Sequence, residues 1–205
     1  MSDARTALLE AGSVRITGTV NVMASGTGST TQRFNLRLTR VNKTPAATGT
    51  VTTTSVTGTK RLTVTLAIIR VGGTLYIRGD RAYYARIGPK AAAVAGRWLS
   101  LPASQDTSVA GLTDLSVVAA GLAPPSNRAQ VVGTARLGSA PVIVVRPNSA
   151  TKLYVAASGT PRPLRLQRTL DVPAGGDGTI DFADYGAPVT VTAPAGAIPI
   201  AKVRG

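Results

Sequence analysis

Near the start of the chain, apolar and polar positions alternate strictly. Val14, Ile16, Gly18, Val20 and Val22 share one face, against Arg15, Thr17, Thr19 and Asn21 on the other. A two-residue period marks a strand with one face buried and one face wet. The pattern returns at Phe34, Leu36 and Leu38, at Leu62, Val64, Leu66 and Ile68, and at Leu75 with Ile77 after the Gly72-Gly73 turn. Gly26 and Gly28 mark the first chain reversal. The stretch TGTVTTTSVTGT from Thr48 to Thr59 has few large side chains. It predicts a strand exposed on both faces or lying at a sheet edge.

In the last third of the chain, Leu153 and Val155 alternate with Tyr154 and Ala156. Leu164 and Leu166 alternate with Arg165 and Gln167, and Ile180 and Phe182 with Asp181 and Ala183. Pro161, Pro163, Gly175, Gly176 and Gly178 occupy the breaks, where reversal needs a preset or positive φ. From Gln130 onward the spacing predicts a β-meander, each strand bonded to the next. The tail after Pro194 carries no clear pattern.

Other segments depart from this period. DARTALLEA (residues 3 to 11) predicts a short helix, with Ser2 or Asp3 as N-cap and Gly12 beyond its end. RAYYARIGPKAAAVA (81 to 95) has helical spacing broken at Gly88-Pro89, which predicts two pieces. VAGLTDLSVVAAGL (109 to 122) predicts one amphipathic helix with Leu112, Leu115, Val118 and Leu122 on a single stripe, ended by Pro124-Pro125. Between them, Arg97 to Leu101 is a short extended segment holding the only tryptophan, Trp98. Strands, then helices, then strands describe an α+β protein with an antiparallel sheet and helices on one face. No composition break divides the chain, so residues 1–205 are expected to form one domain.

Composition narrows the function. The 43% apolar content excludes a disordered tail, and abundant Val and Thr with 4% aromatics suit pleated, half-buried surfaces. No cysteine and no histidine are present. Disulfides, thiolate ligands, a cysteine nucleophile and histidine-dependent acid–base or metal chemistry are thereby excluded. Asp181 and Asp184, the closest acidic pair in a strand-like run, point to opposite faces and make a poor carboxylate dyad. Asp177 and Asp181 flank a turn and at most bind a cation weakly. No phosphate-binding loop precedes a helix. The expectation is a non-enzymatic protein without metal or cofactor.

Charge adds a partner class. Lys and Arg number 23 against 9 Asp and Glu, a net +14. Such a surface attracts polyanions, anionic lipid headgroups or acidic polymers. The cations are scattered singly, as at Arg33, Arg37, Arg70 and Arg165, and form no basic arm. Tyr76, Tyr154 and Tyr185 are the candidate stacking residues, whereas Tyr83, Tyr84 and Trp98 read as packing. Specific nucleic-acid binding is not expected.

The C-terminal run LYVA-x-SG-x-PxPLRL, followed by IDFADYGAPVTVTAP, resembles the actinobacterial lipoproteins typified by mycobacterial LppX and LprG. GGTLYIRGDRAYY, AGRWLSLPAS and LTDLSVVAAGL occur upstream in the matching order, and SVRITGTV near the start is also similar. The resemblance implies a strongly curved antiparallel sheet, a half-barrel, with a few short helices covering its concave face and enclosing an apolar cavity for lipid or glycolipid acyl chains. The implied lining comes from the inward faces: Val14, Ile16 and Val20; Phe34, Leu36 and Leu38; Val64, Leu66 and Ile68; Leu75 and Ile77. Leu115, Val118 and Leu122 would form the lid.

Family members of this type carry a lipidated N-terminal cysteine. The opening MSDARTALLEAG has no basic-then-apolar leader, and Met1 reads as a start replacing a removed leader and anchor cysteine, the alternative being a natural soluble variant. The resemblance thus implies an extracytoplasmic, membrane-anchored, monomeric lipid carrier whose basic surface meets anionic headgroups. The rival reading is a cell-surface structural or interaction module with a filled core and a basic face for anionic polymers. A third keeps the fold and gives it an accessory role beside a transporter.

Overall fold

The computed structural model describes residues 2–23, 28–122, 129–169 and 176–204. The turn expected at Gly26, the helix stop at Pro124-Pro125 and the break at Gly175 lie outside them.

The first half is a run of antiparallel hairpins. Helix α1 (Ser2–Glu10) leads into β1 (Ser13–Met23), β2 (Gly28–Val41), β3 (Thr44–Thr57), β4 (Lys60–Val71) and β5 (Thr74–Gly79). The register is continuous from β1 to β5: Gly18 faces Phe34, Phe34 faces Val51, Val51 faces Leu66, and Ile68 faces Ile77. Because alternate side chains share a face, this register collects the predicted apolar positions on one side of the sheet. Gly18 lacks a side chain for a structural reason. A Cβ there would sit 2.6 Å from the Phe34 ring and 2.3 Å from the Thr179 carbonyl oxygen.

Then come the helices. Asp80 caps α2 (Arg81–Ile87) by accepting the Tyr83 amide at 2.8 Å, and α3 (Pro89–Ala92) follows the Gly88 break as expected. Strand β6 (Leu99–Pro102) precedes α4 (Thr107–Leu112) and α5 (Leu115–Gly121). The second half is the meander: β7 (Gln130–Leu137), β8 (Ala140–Asn148), β9 (Thr151–Ala156), β10 (Pro163–Arg168) and β11 (Gly176–Ala183), with β12 (Ile198–Pro199) at the end.

Among the described residues the strands make one sheet, ordered β12-β6-β5-β4-β3-β2-β1-β11-β10-β9-β8-β7. Only the β12–β6 pair is parallel. One apolar cluster joins Leu75 of β5 and Leu99 of β6 to Leu153 of β9 and Val145 of β8, with Leu8, Leu115 and Leu122 between them. At roughly 4.8 Å per strand spacing, β6 and β8 would be about 43 Å apart in a flat sheet. The sheet therefore curls around the helices, which is the half-barrel that the motifs implied.

Several expectations are corrected. The Thr-rich segment is neither an edge nor exposed on both faces: β3 is paired on both sides and buries Ala46, Ala47 and Val51. Gly49 lacks a side chain because of a close approach: a Cβ there would lie 2.1 Å from the Asn35 carbonyl oxygen. The single helix over 109–122 is two. The Asp114 carboxylate accepts the Ser116 amide at 2.9 Å and starts α5 afresh, because an Asp side chain offers the backbone a cap in place of a continued helix. The patternless tail crosses to the far edge of the sheet, where Ile198 pairs with Leu99. A register shift between Pro163 and Arg165 sets Pro163, rather than Leu164, opposite Val155. Arg70, grouped by sequence with the scattered surface cations, is buried.

Candidate functional site

The inner face of the curled sheet is built from the expected residues. Val14, Ile16, Phe34, Leu36, Leu38, Ile68, Leu75 and Ile77 are buried in the main cluster with Leu115 of α5 and Leu122 at its C-cap. Val20, Leu66 and Val118 are half-buried against it. Val64 is buried without joining that cluster. These side chains pack on one another, on Tyr84 of α2, read from sequence as a packing residue, and on residues sequence reasoning had not singled out, Ala4 and Leu8 of α1. The amphipathic spacing of α1 carried that signal.

A recess of about 330 Å³ opens beside this core, between the end of α5 and β8 to β10. Its walls are Ala120 and Gly121 on the helix, and Asn148, Thr151, Leu166 and Arg168 on the sheet. Leu166 is shared: it lines the recess and packs against the apolar cluster. By register Arg168 lies level with Gly178, Val20, Gln32 and Thr53 on successive strands. The recess therefore opens at the end of the sheet that carries the β3–β4 turn.

The helical cover is fastened to β4 by Arg70. Its Nε donates to the Gly72 carbonyl at 2.9 Å and its Nη1 to the Ala110 carbonyl at 2.8 Å. Nη2 lies 3.4 Å from the Asp114 carboxylate, and the Thr113 hydroxyl is within 3.4 Å of Nη1. This cluster sits at the α4–α5 break. A second recess, about 350 Å³ and more open, is lined by Arg70, Ala103, Ala110, Asp114 and Val117.

Tyrosines pin the helices and the crossing tail. The Tyr84 hydroxyl donates to the Arg97 carbonyl and the Tyr185 hydroxyl to the Pro163 carbonyl. Burial pushes Tyr83 up to about 12, with the nearby Asp106 charge adding to it, and burial likewise raises Tyr84 and Tyr185. Tyr154 and Tyr185 are not free stacking platforms. Tyr154 donates to Gln167 at 3.0 Å, and the Arg162 guanidinium lies over the Tyr185 ring. Trp98 stacks beneath Arg78.

The acidic residues considered from sequence are occupied separately. Asp181 makes a two-pronged pair with Arg165 at 2.6 and 3.1 Å, and Asp184 lies 3.8 Å from Arg15. Among the described residues no three His, Cys, Asp or Glu side chains gather into a metal-binding group. No helix described is long and apolar enough to cross a membrane.

No family model matches the sequence, and no curated protein matches it. Solved structures do. The chain is similar to LprF from Mycobacterium bovis, with 16% identity, 96% of this chain and 99% of that one covered, and a TM-score of 0.56. A LolA superfamily protein from Nitrosomonas europaea aligns over 88% of this chain and 91% of its own at 13% identity, but with a TM-score of 0.29. A likeness at that score carries no weight for the fold. The chain thus adopts the fold of LprF, in agreement with the resemblance to the LppX/LprG lipoproteins carried by its motifs.

Proposed function

We propose that this chain is a non-catalytic, extracytoplasmic lipid-binding domain, membrane-anchored in its full-length form, that holds acyl chains of a lipid or glycolipid between its sheet and helices. The observation that carries the reading is the recess under α5. Its Leu166 wall packs against the apolar core, its helix wall is made of small residues, and its rim bears a cation, Arg168. Its volume of about 330 Å³ stands at the lower end of the roughly 300–1,000 Å³ range of small-molecule sites. One chain segment fits there. A second chain needs α5 to lift, so that Leu115, Val118 and Leu122 exchange contacts with the apolar cluster for contacts with lipid. Each methylene moved out of water contributes about 0.8 kcal/mol, so ten of them contribute about 8 kcal/mol towards that exchange.

The test is native mass spectrometry of the purified protein, followed by organic extraction and mass analysis of the extract. The expected result is a stoichiometric adduct in the acyl-lipid range. In the folded Ala120→Trp variant, whose indole fills the recess, that adduct is lost. A clean protein mass that persists after incubation with diacyl and triacyl lipids refutes the proposal.

A further inference from the structure

The opposite face of the same sheet is built for a different partner. Between Glu10 and Asp80 the chain carries nine Lys and Arg and not one Asp or Glu. That span is β1 to β5, so the first five strands hold most of the net +14. On the outer face, Thr31, Thr54 and Thr63 stand in one row across β2, β3 and β4. Arg33 lies two residues along β2 on one side of that row, and Arg61 two residues along β4 on the other. Together these residues, with Thr52 and Val56, line a recess of about 380 Å³.

Thr31 spends its O–H on the Asn21 side-chain oxygen at 2.9 Å and offers the site an acceptor, whereas the other threonines keep donors. Thr54 and Thr63 share a hydrogen bond at 3.1 Å and Thr52 and Thr65 one at 3.0 Å, so each hydroxyl pair keeps one O–H free. Arg33 and Arg61 are exposed, and neither is paired with a carboxylate among the described residues. Two carboxylates come near this face. Asp80 is engaged with the Tyr83 and Thr65 amides, and Asp177 faces Asn21 on the far side of β1. At about 3.4 Å per residue and 4.8 Å per strand, the Cα atoms of Arg33 and Arg61 stand about 17 Å apart along a diagonal. An extended chain lying on that diagonal meets a guanidinium at each end and hydroxyls between. A flat bilayer does not enter such a recess, and its lining has no aromatic ring on which bases stack.

We propose that the outer face of β2–β4 binds a linear phosphate-bearing polyol polymer, with Arg33 and Arg61 contacting its phosphates and the threonine row its hydroxyls. The site lies on the other side of the sheet from the recess under α5 and does not depend on the lipid reading.

The test is titration of the protein with a synthetic poly(glycerol phosphate) oligomer at several salt concentrations. The expected result is salt-sensitive binding that the Arg33→Gln/Arg61→Gln variant weakens by about tenfold or more, with a salt slope smaller by roughly one per lost phosphate contact. The Arg146→Gln/Lys152→Gln variant removes the same charge from exposed positions on β8 and β9 and leaves affinity nearly unchanged. Inorganic phosphate at equal phosphate concentration does not compete. Equal weakening by the two double variants would mean attraction by net charge alone and overturns the site. So does binding to phosphatidylglycerol vesicles without binding to the oligomer. Acyl-lipid adducts in the Arg33/Arg61 variant report separately on the recess under α5.

Discussion

Arg70→Met removes the guanidinium that ties the helical cover to β4 while keeping most of its stem. Arg70 is 9% exposed and serves the Gly72 and Ala110 carbonyls and the Asp114 carboxylate together. Deleting one partner of a buried ion pair costs about 3–5 kcal/mol, because the other charge is left uncompensated. Here the lower end applies. Asp114 retains the Ser116 amide at 2.9 Å and some access to water, and the methionine stem avoids a cavity. The two orphaned carbonyls still add to the loss, since a buried unpaired acceptor costs about 1–3 kcal/mol. We therefore expect Arg70→Met to destabilise by about 3 kcal/mol. Asp114→Asn is expected to cost about 1–2 kcal/mol, because Arg70 keeps its carbonyl acceptors. Urea unfolding gives both values, and the double variant gives their coupling. Hydrogen exchange adds the spatial information: α4 and α5 should lose protection in Arg70→Met before β1 to β4 do. A loss below about 1 kcal/mol, within the range of an exposed pair, or uniform loss of protection would refute the idea that Arg70 fastens the cover.

Gly18→Ala places a methyl group against the Thr179 carbonyl and the Phe34 ring, both already closer than a Cβ tolerates. The strands must part or Phe34 must leave its rotamer, so a loss of about 1–3 kcal/mol is expected by urea unfolding; an unchanged midpoint would contradict the packing. Alkaline pH offers an independent check. Tyr83 is raised from 10.0 to about 12, so the unfolded chain releases its proton first. The stability this provides is fully present below about pH 10 and is lost as pH rises towards 12. Urea midpoints followed with phenolate absorbance should fall through that window, and Tyr83→Phe should flatten the fall.

Strand faces were the most legible feature of this chain. Val14, Ile16, Leu36 and Ile68 are inward because the two-residue period ties each side chain to a face of its own strand, whatever that strand pairs with. The bulge after Pro163 shows the limit: one added residue moved Leu164 off the period, and nothing in PRPLRLQR announces it. The 109–122 segment shows another. Its apolar stripe is real, but Asp114 inside it caps and restarts the helix through its side chain. Arg70 was legible but went unread: it is in phase with Val64, Leu66 and Ile68, whereas Arg33 and Arg37 alternate with Phe34, Leu36 and Leu38. Arg70 alone lies on the inner face, where α4 and α5 supply acceptors.

The sequence by itself determined the α+β class, the inner and outer faces of the strands, the helix break at Gly88-Pro89 and the motifs shared with the LppX/LprG lipoproteins. These are local properties, written in periods of two to four residues and in short runs. Only the tertiary structure decided that the tail pairs with β6, that α4 and α5 bring acceptors to Arg70, and that a recess opens beside Leu166. Each of those depends on which distant segments meet and on the volume left between them, and no period along the chain encodes that volume.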